Sequence, residues 1–330
     1  MEFTVSSPSN IAFIKYWGQR DSDLVLPIHD SFSMNLSACT TEIIAELVDN
    51  PAVQEMTIRE YGSSEYLPAT GSELAKFCTF YERARLFLKS NRQFGFRLRT
   101  RNTFPKKAGI ASSASFFSAA ALVLARGFEV ELDIRQLSIL ARLSGSGSAC
   151  RSIPDGFVWW HAGSSSETSY AEQIAAPEYW QIADVVVVVS TGEKVVSSQR
   201  GHAGAASSPY FTSRIADVTR VAVEMRAAFE RKDFTQFGTA LEKECFNFHS
   251  ILMTQSPPLV FWSERTIAVI HEAHALRRKG IEVYLTIDAG ENVHLICEAA
   301  SVPAVCKRIA TLSGVRETIV NYPAIGSRLL

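Results

Sequence analysis

Pro105-Lys106-Lys107-Ala108-Gly109-Ile110-Ala111-Ser112-Ser113-Ala114-Ser115-Phe116-Phe117 is the stretch on which the fold of this chain turns. A small-residue turn, Gly109 to Ser113, precedes a helix-forming run from Ala114 to Ala125. The start of a helix leaves backbone N–H groups unpaired and carries partial positive charge. Gly109 lets the backbone come close to a ligand, and Ser112 and Ser113 add hydroxyl donors, so the stretch forms a phosphate cradle. The same residues also fit a Ser-capped helix behind a proline turn with nothing bound. The choice between the two rests on the flanking segments.

Toward the N-terminus, Ile11-Ala12-Phe13-Ile14-Lys15-Tyr16-Trp17-Gly18 alternates as a strand would, with Ile11, Phe13, Lys15 and Trp17 on one face. A lysine on an apolar stripe is costly unless it is paired or snorkels to solvent. Ser31 to Leu36 and Thr41 to Leu47 are expected to be two strands, and residues 51–72 are polar and turn-rich. Glu73 to Lys89 has helical spacing, with Leu74, Phe77, Tyr81, Ala84 and Leu88 on one side. Phe94 to Arg101 alternates as a strand.

Toward the C-terminus, a short helix is expected over Ile134 to Leu143. Ser144-Gly145-Ser146-Gly147-Ser148-Ala149-Cys150-Arg151-Ser152 is small and polar, and Gly156 to Trp160 is strand-like. A Ser/Gly run can be a flexible linker. Its place between a helix and an apolar strand makes it a second ligand-facing turn instead. It contains no Gly-x-Ser-x-Gly elbow, so a serine hydrolase is not indicated. Val185 to Val189 is a short buried strand, and the polar, Gly/Ala/Ser-rich Ser190 to Pro209 follows. The lobe boundary is placed there, giving lobes of residues 1–189 and 190–330. Helical stripes follow at Ile215, Val218, Ala222, Met225 and Phe229, at Phe234, Phe237, Leu241 and Phe248, and over Arg265 to Lys279 before Gly280. His271 and His274 lack His-Glu-x-x-His spacing and are expected on a helix surface or interface. Strands at Glu282 to Ile287, Val293 to Cys297 and Glu317 to Val320, with a helix near Pro303 to Leu312, complete an α/β (α+β) chain.

At 330 residues, 47% hydrophobic, the chain can build two lobes with a large core. A net charge of −1 gives no basic footprint for nucleic acid. No apolar run reaches membrane-spanning length, and the first residues lack a signal-peptide layout, so a cytoplasmic location is expected. The six cysteines are scattered without a Cys-x-x-Cys pair, which indicates neither zinc nor a disulfide framework; most are expected buried and reduced.

Lys15-Tyr16-Trp17-Gly18, Pro105 to Ala114, Ser146 to Ser152 and Asp288-Ala289-Gly290 stand together in one order. This set resembles the mevalonate diphosphate decarboxylase family of the GHMP kinase superfamily, along nearly the whole chain. The resemblance implies a ribosomal-protein-like N-terminal lobe, a ferredoxin-like C-terminal lobe, ligands in the cleft between them, ATP with Mg²⁺, and a homodimer. It also implies the chemistry. ATP converts the substrate's tertiary 3-hydroxyl to a phosphate ester, loss of that phosphate leaves C3 electron-deficient, and the C1–C2 bond supplies electrons as CO₂ departs. In such a site Gly109, Ala111, Ser112 and Ser113 would cradle the nucleotide, with Ser112 a candidate ligand to its Mg²⁺. Asp288 would act as base or orienting acceptor at the 3-hydroxyl. Lys15 would place a cation near the same oxygen. Arg151 would offer a planar fork to the carboxylate. Ser146 and Ser148 would hold the phosphate or carboxylate end of the substrate, and Tyr16 and Ser198 would line the same pocket. Taken singly, Asp288 also fits a turn-former, Arg151 a surface ion pair, and the two serines a linker.

Two positions depart from the family pattern at the distal phosphate. Many diphosphate enzymes carry Trp-Gly-Lys where this chain has Trp17-Gly18-Gln19, and some carry arginine after a Ser-Ser pair where Ser197-Ser198 is followed by Gln199. A charge-assisted hydrogen bond is worth roughly 1.5–3 kcal/mol. Losing two cations therefore favours mevalonate 5-phosphate over mevalonate 5-diphosphate. Arg20, Arg200 and His202 stand close by and could compensate; a methionine is common where His202 stands. Lys106 and Lys107 fit two readings, steering ATP or standing solvated. Two rival classes remain on the page: a kinase that phosphorylates the 3-hydroxyl without decarboxylation, and a non-enzymatic binding module. Retention of Lys15, Arg151 and Asp288 speaks against the first, and the intact Gly109 to Ala114 loop against the second.

Overall fold

The computed structural model describes residues 1–106, 109–192 and 198–330, with the side chains of 198–200 outside the description. In chain order the strands are β1 (Glu2–Ala12), β2 (Gln19–Asp21), β3 (Leu26–Pro27), β4 (Ser31–Val48), β5 (Gln54–Arg59), β6 (Leu67–Pro68), β7 (Gly95–Asn102), β8 (Phe157–Trp160), β9 (Ala171–Ala175), β10 (Ile182–Val188), β11 (Val283–Thr286), β12 (Val293–Glu298), β13 (Glu317–Asn321) and β14 (Arg328–Leu329). The helices are α1 (Gly71–Phe87), α2 (Ser112–Gly127), α3 (Ile134–Arg142), α4 (Ser198–Gly204), α5 (Phe211–Glu230), α6 (Phe234–Thr254), α7 (Glu264–Arg278) and α8 (Val302–Ile309), with a 3₁₀ turn at Gly147–Ser152.

Among the described residues, the first sheet runs β14-β1-β4-β7-β5-β6, with β8 and β9 extending from β4. The two strands expected at Ser31 to Leu36 and Thr41 to Leu47 are one long strand, β4. Its first residues pair with β8 and its last with β7, and β1 follows it throughout across a register shift between Pro8 and Asn10. The turn-rich residues 51–72 hold β5 and β6. α1 and α2 cover this sheet, burying Phe77, Phe80, Phe117 and Val123 against Ile43, Phe96 and Leu98. Capping boxes at Thr70 and Asp133 start α1 and α3.

The strand expected to continue through Lys15 instead ends at Ala12. The amides of Phe13 and Ile14 both donate to the Phe32 carbonyl, at 2.7 and 3.1 Å, which breaks the alternation. Residues 15–18 therefore form a loop, and Ile11 to Lys15 are all buried rather than divided between two faces.

The second sheet runs β11-β12-β10-β13, antiparallel. β10 is internal, and all its residues are buried, which explains its run of valines. Although it precedes residue 190, it pairs only with strands of this second sheet. One face packs Val185, Val187, Leu285 and Leu295 on Val269 and Leu276 of α7 and Val305 and Ile309 of α8. The other face joins Phe229 and Phe237 of α5 and α6 to Phe13, Phe32 and Phe104 of the first lobe.

Candidate active site

The loop after β1 and the turn after β11 meet between the lobes. Lys15 is 2% exposed, yet its Nζ stands 2.6 Å from Asp288 Oδ1. That ion pair answers the cost of placing an ammonium among apolar neighbours. Burial pushes the Asp288 carboxyl up, but the Lys15 ammonium and the Arg151 guanidinium outweigh it and hold it below the usual carboxylate range. Asp288 is therefore ionised at neutral pH and able to accept a proton.

Arg151 leaves the 3₁₀ turn and is 3% exposed. Its Nε donates to Asn10 Oδ1 and its Nη1 to Ser31 Oγ, each at 3.0 Å. Asn10 in turn donates to the Ser148 carbonyl at 3.1 Å and to Ser152 Oγ at 2.8 Å. Among the described residues these partners are all neutral, so Arg151 is no surface ion pair. Burial pulls its guanidinium down from its ordinary value, with the Asp288 charge acting the other way. A buried cation held by neutral groups favours an incoming anion.

The small-residue loop before α2 lies beside the same place. Among the described residues α2 begins at Ser112 behind Ala111 with no side-chain cap, so the Ser-capped alternative does not hold, and a helix start of this kind offers N–H groups to a ligand. Ala111, with φ +29°, and Gly109, with φ +79°, turn the chain into the helix. A Cβ on Gly109 would meet only the Cα of Gly290, at 3.8 Å, which sets this loop beside the Asp288-Ala289-Gly290 turn. Ser146 Oγ donates to Ser113 Oγ at 3.1 Å and joins the two small-residue loops. Among the described residues no group of three His, Cys, Asp or Glu could hold a metal.

Aromatic rings form the remaining wall. Tyr16 lies against Trp160 and His202, with centroids 4.7 and 4.3 Å away, and its hydroxyl accepts from Gln19 Nε2 at 2.6 Å. His202 Nδ1 accepts from the Gly18 amide at 3.1 Å, and burial lowers its pKa to about 3, so it is neutral. Arg20 donates to the carbonyls of Pro27, Ala162 and Gly163. Lys106 is tied to Glu60 and Glu73, each at 3.0 Å. Ser198 and Gln199 open α4, but their side chains, with that of Arg200, lie outside the described residues, as does Lys107.

The structure thus brings Lys15, Asp288, Arg151, Tyr16, Gln19, Ser146 and the Gly109–Ser113 loop near one another where the two lobes meet. Sequence reasoning missed Asn10 and Ser31, which aim Arg151. The available signal was the small polar run Ser6-Ser7-Pro8-Ser9-Asn10, flanked by Val5 and Ile11, each residue of which proves buried in β1.

Comparison with known proteins gives the same picture. Residues 7–171 match the family described as diphosphomevalonate decarboxylase-like N-terminal domain, and residues 184–324 match the mevalonate 5-diphosphate decarboxylase C-terminal domain. The chain is 33% identical to a diphosphomevalonate decarboxylase of Debaryomyces hansenii over 311 residues, covering 89% of this chain and 79% of that one. It is 32% identical to the human diphosphomevalonate decarboxylase over 303 residues, covering 88% and 75%. The solved mevalonate diphosphate decarboxylase of Staphylococcus aureus superposes with a TM-score of 0.90 at 28% identity, over 100% of this chain and 98% of that one. A structure described as a complex with MVAPP, AMPPCP and magnesium also gives 0.90 at 28%, over 100% and 99%. With both lobes matched and the whole length superposed, this chain belongs to the diphosphomevalonate decarboxylase family of the GHMP kinase superfamily.

Proposed function

We propose that this chain catalyses the ATP-dependent decarboxylation of mevalonate 5-diphosphate to isopentenyl diphosphate. The observation that carries the reading is the buried Lys15–Asp288 pair beside Arg151, at the mouth of an uncapped helix start. The monophosphate expected from Gln19 and Gln199 lacks support among the relatives, which are named for the diphosphate. The diphosphate alternative is therefore the better backed.

In this reading the N–H groups at the start of α2, with Gly109, Ala111, Ser112 and Ser113, hold the nucleotide's phosphates. The nucleotide with Mg²⁺ supplies the phosphoryl group that makes the 3-oxygen expellable. Asp288 accepts the proton of the 3-hydroxyl. Lys15 offsets charge at the same oxygen. Arg151 holds the carboxylate in the plane of its fork until C1–C2 breaks and the electron pair becomes the alkene. Ser146, Ser148, Tyr16 and Ser198 hold the rest of the substrate. The homodimer belongs to the same proposal, with sedimentation velocity as its measure.

One observation favours the monophosphate as a second reading. Gln19, where a cation would meet the distal phosphate, is neutral and bonded to Tyr16, while Arg20 is engaged with loop carbonyls. The deciding experiment measures kcat/KM, ADP and CO₂ with both substrates. ADP and CO₂ in equal amounts, with the diphosphate preferred, is the expected result, and Asp288→Asn should remove turnover while leaving ATP affinity near wild type. A preference for the monophosphate moves the assignment to the second reading. ADP without CO₂ makes the chain a kinase, and ATP binding without turnover makes it a binding module.

A further inference from the structure

Lys15 lies past the end of β1, so no sheet ladder satisfies its peptide groups or fixes its place. Two helices of the other lobe do so. Glu244 of α6 accepts the Lys15 N–H on Oε1 at 3.1 Å, and the same oxygen accepts from Arg214 Nη2 of α5 at 2.7 Å. Arg214 Nη2 also donates to the Lys15 carbonyl at 3.3 Å. Both residues are buried, 1% and 2% exposed. Asn247 extends the network, accepting from Arg214 Nη1 at 3.1 Å and donating to Asp217 at 2.8 Å. Five residues beyond Glu244 on α6, His249 stands 3.1 Å by Nε2 from the carbonyl of Ile287, the residue before Asp288. A carbonyl only accepts, so Nε2 carries the proton. The ring is neutral, since burial lowers its pKa to about 3, and it lies between Phe248 and Trp262.

We propose that Glu244, Arg214 and His249 are positioning residues, through which α5 and α6 grip the main chain on both sides of the Lys15–Asp288 pair and fix its 2.6 Å separation. The inference rests on the reaction proposed above. None of the three touches substrate in this scheme. They act by setting where Lys15 Nζ meets Asp288, and a 1 Å misplacement there costs on the order of a hundredfold in rate.

The test compares three variants with wild type. His249→Phe keeps a ring between Phe248 and Trp262 but loses the donor. His249→Gln restores a donor near the Nε2 position. Glu244→Gln keeps an acceptor for the Lys15 N–H but loses the charge facing Arg214. For His249→Phe and Glu244→Gln, kcat is expected to fall at least tenfold with KM for ATP within about twofold. The acid limb of kcat/KM is expected to move to higher pH. Asp288 is held low by Lys15, and a retreating ammonium lets its pKa rise. Among the described residues the charged or titratable groups acting on Asp288 are Lys15, Arg151 and His294, with His249 within reach of its charge. The changes leave Arg151 and His294 in place, His249 is neutral, and loss of the Glu244 charge would by itself lower the Asp288 pKa, so a rise reports the Lys15 contact. His249→Gln should recover most of the rate. Wild-type kcat with an unmoved limb in a folded His249→Phe overturns the proposal, as does a His249→Gln as slow as His249→Phe. If Glu244→Gln does not fold, the His249 pair decides alone. Absence of wild-type turnover on either mevalonate phosphate would instead overturn the reaction, which separates the two failures.

Discussion

Arg151 is a buried cation held in place by neutral groups. Its Nε and Nη1 are held by Asn10 and Ser31, and no carboxylate among the described residues is hydrogen-bonded to it. Such a group is bound tightly in place and poorly compensated in charge, an arrangement that favours an arriving anion over stability. Arg151→Met keeps much of the volume and removes the charge. It should lower kcat/KM by roughly ten- to a hundredfold, the worth of a charge-assisted hydrogen bond. The melting temperature should hold or rise, since an apolar replacement of a buried ion is often neutral or stabilising. Steady-state kinetics beside thermal denaturation checks both, and a large loss of stability with unchanged kinetics would make Arg151 structural. At this scale the charged motif residues could be picked out by type, and the structure places Lys15, Asp288 and Arg151 near one another. Asn10 and Ser31 were not, since they reach Arg151 across 141 and 120 positions of sequence.

Helical elements were legible where one stripe of apolar residues meets one core. Phe234, Phe237, Leu241 and Phe248 are all buried along α6, as their spacing requires. The extended segment through Lys15 was misread because alternation alone cannot reveal two consecutive amides sharing the Phe32 carbonyl. The Ser/Gly run is ordered rather than a linker, and it holds a 3₁₀ turn that needs a small residue at its start. A Cβ on Gly147 would stand 2.8 Å from Trp160 and 2.9 Å from Tyr16. Neither ring has room to retreat without disturbing the other, since they are in edge contact. Gly147→Ala should therefore destabilise by about 1–3 kcal/mol. It should also raise the KM for the phosphorylated mevalonate more than the KM for ATP, because Tyr16 carries the Gln19 bond. Thermal melts and separate titrations of the two substrates check this. An alanine variant with both values unchanged would show the turn to be looser than its geometry requires.

Across the whole molecule the two lobes share a core, which a boundary drawn near residue 190 does not convey. Phe237 of α6 lies 5.1 Å from Phe13, 5.3 Å from Trp180 and 6.3 Å from Phe32 between ring centroids. The chain's last strand, β14, returns to pair with β1 at Val5 and Ser6. These contacts were invisible in the sequence because they join segments distant along the chain, and no local period encodes them. They have a thermodynamic consequence. If the aromatic junction couples the lobes, weakening it should loosen both together rather than the second alone. Phe237→Ala opens a cavity at the junction and should cost about 3–5 kcal/mol. Hydrogen exchange should then rise by a similar factor in β7 of the first sheet and β12 of the second, with one melting transition. Exchange that rises in β12 while β7 keeps its protection would show that the lobes unfold independently, and that the cleft between them is held by the Lys15–Asp288 contact and its helical supports rather than by a common interior.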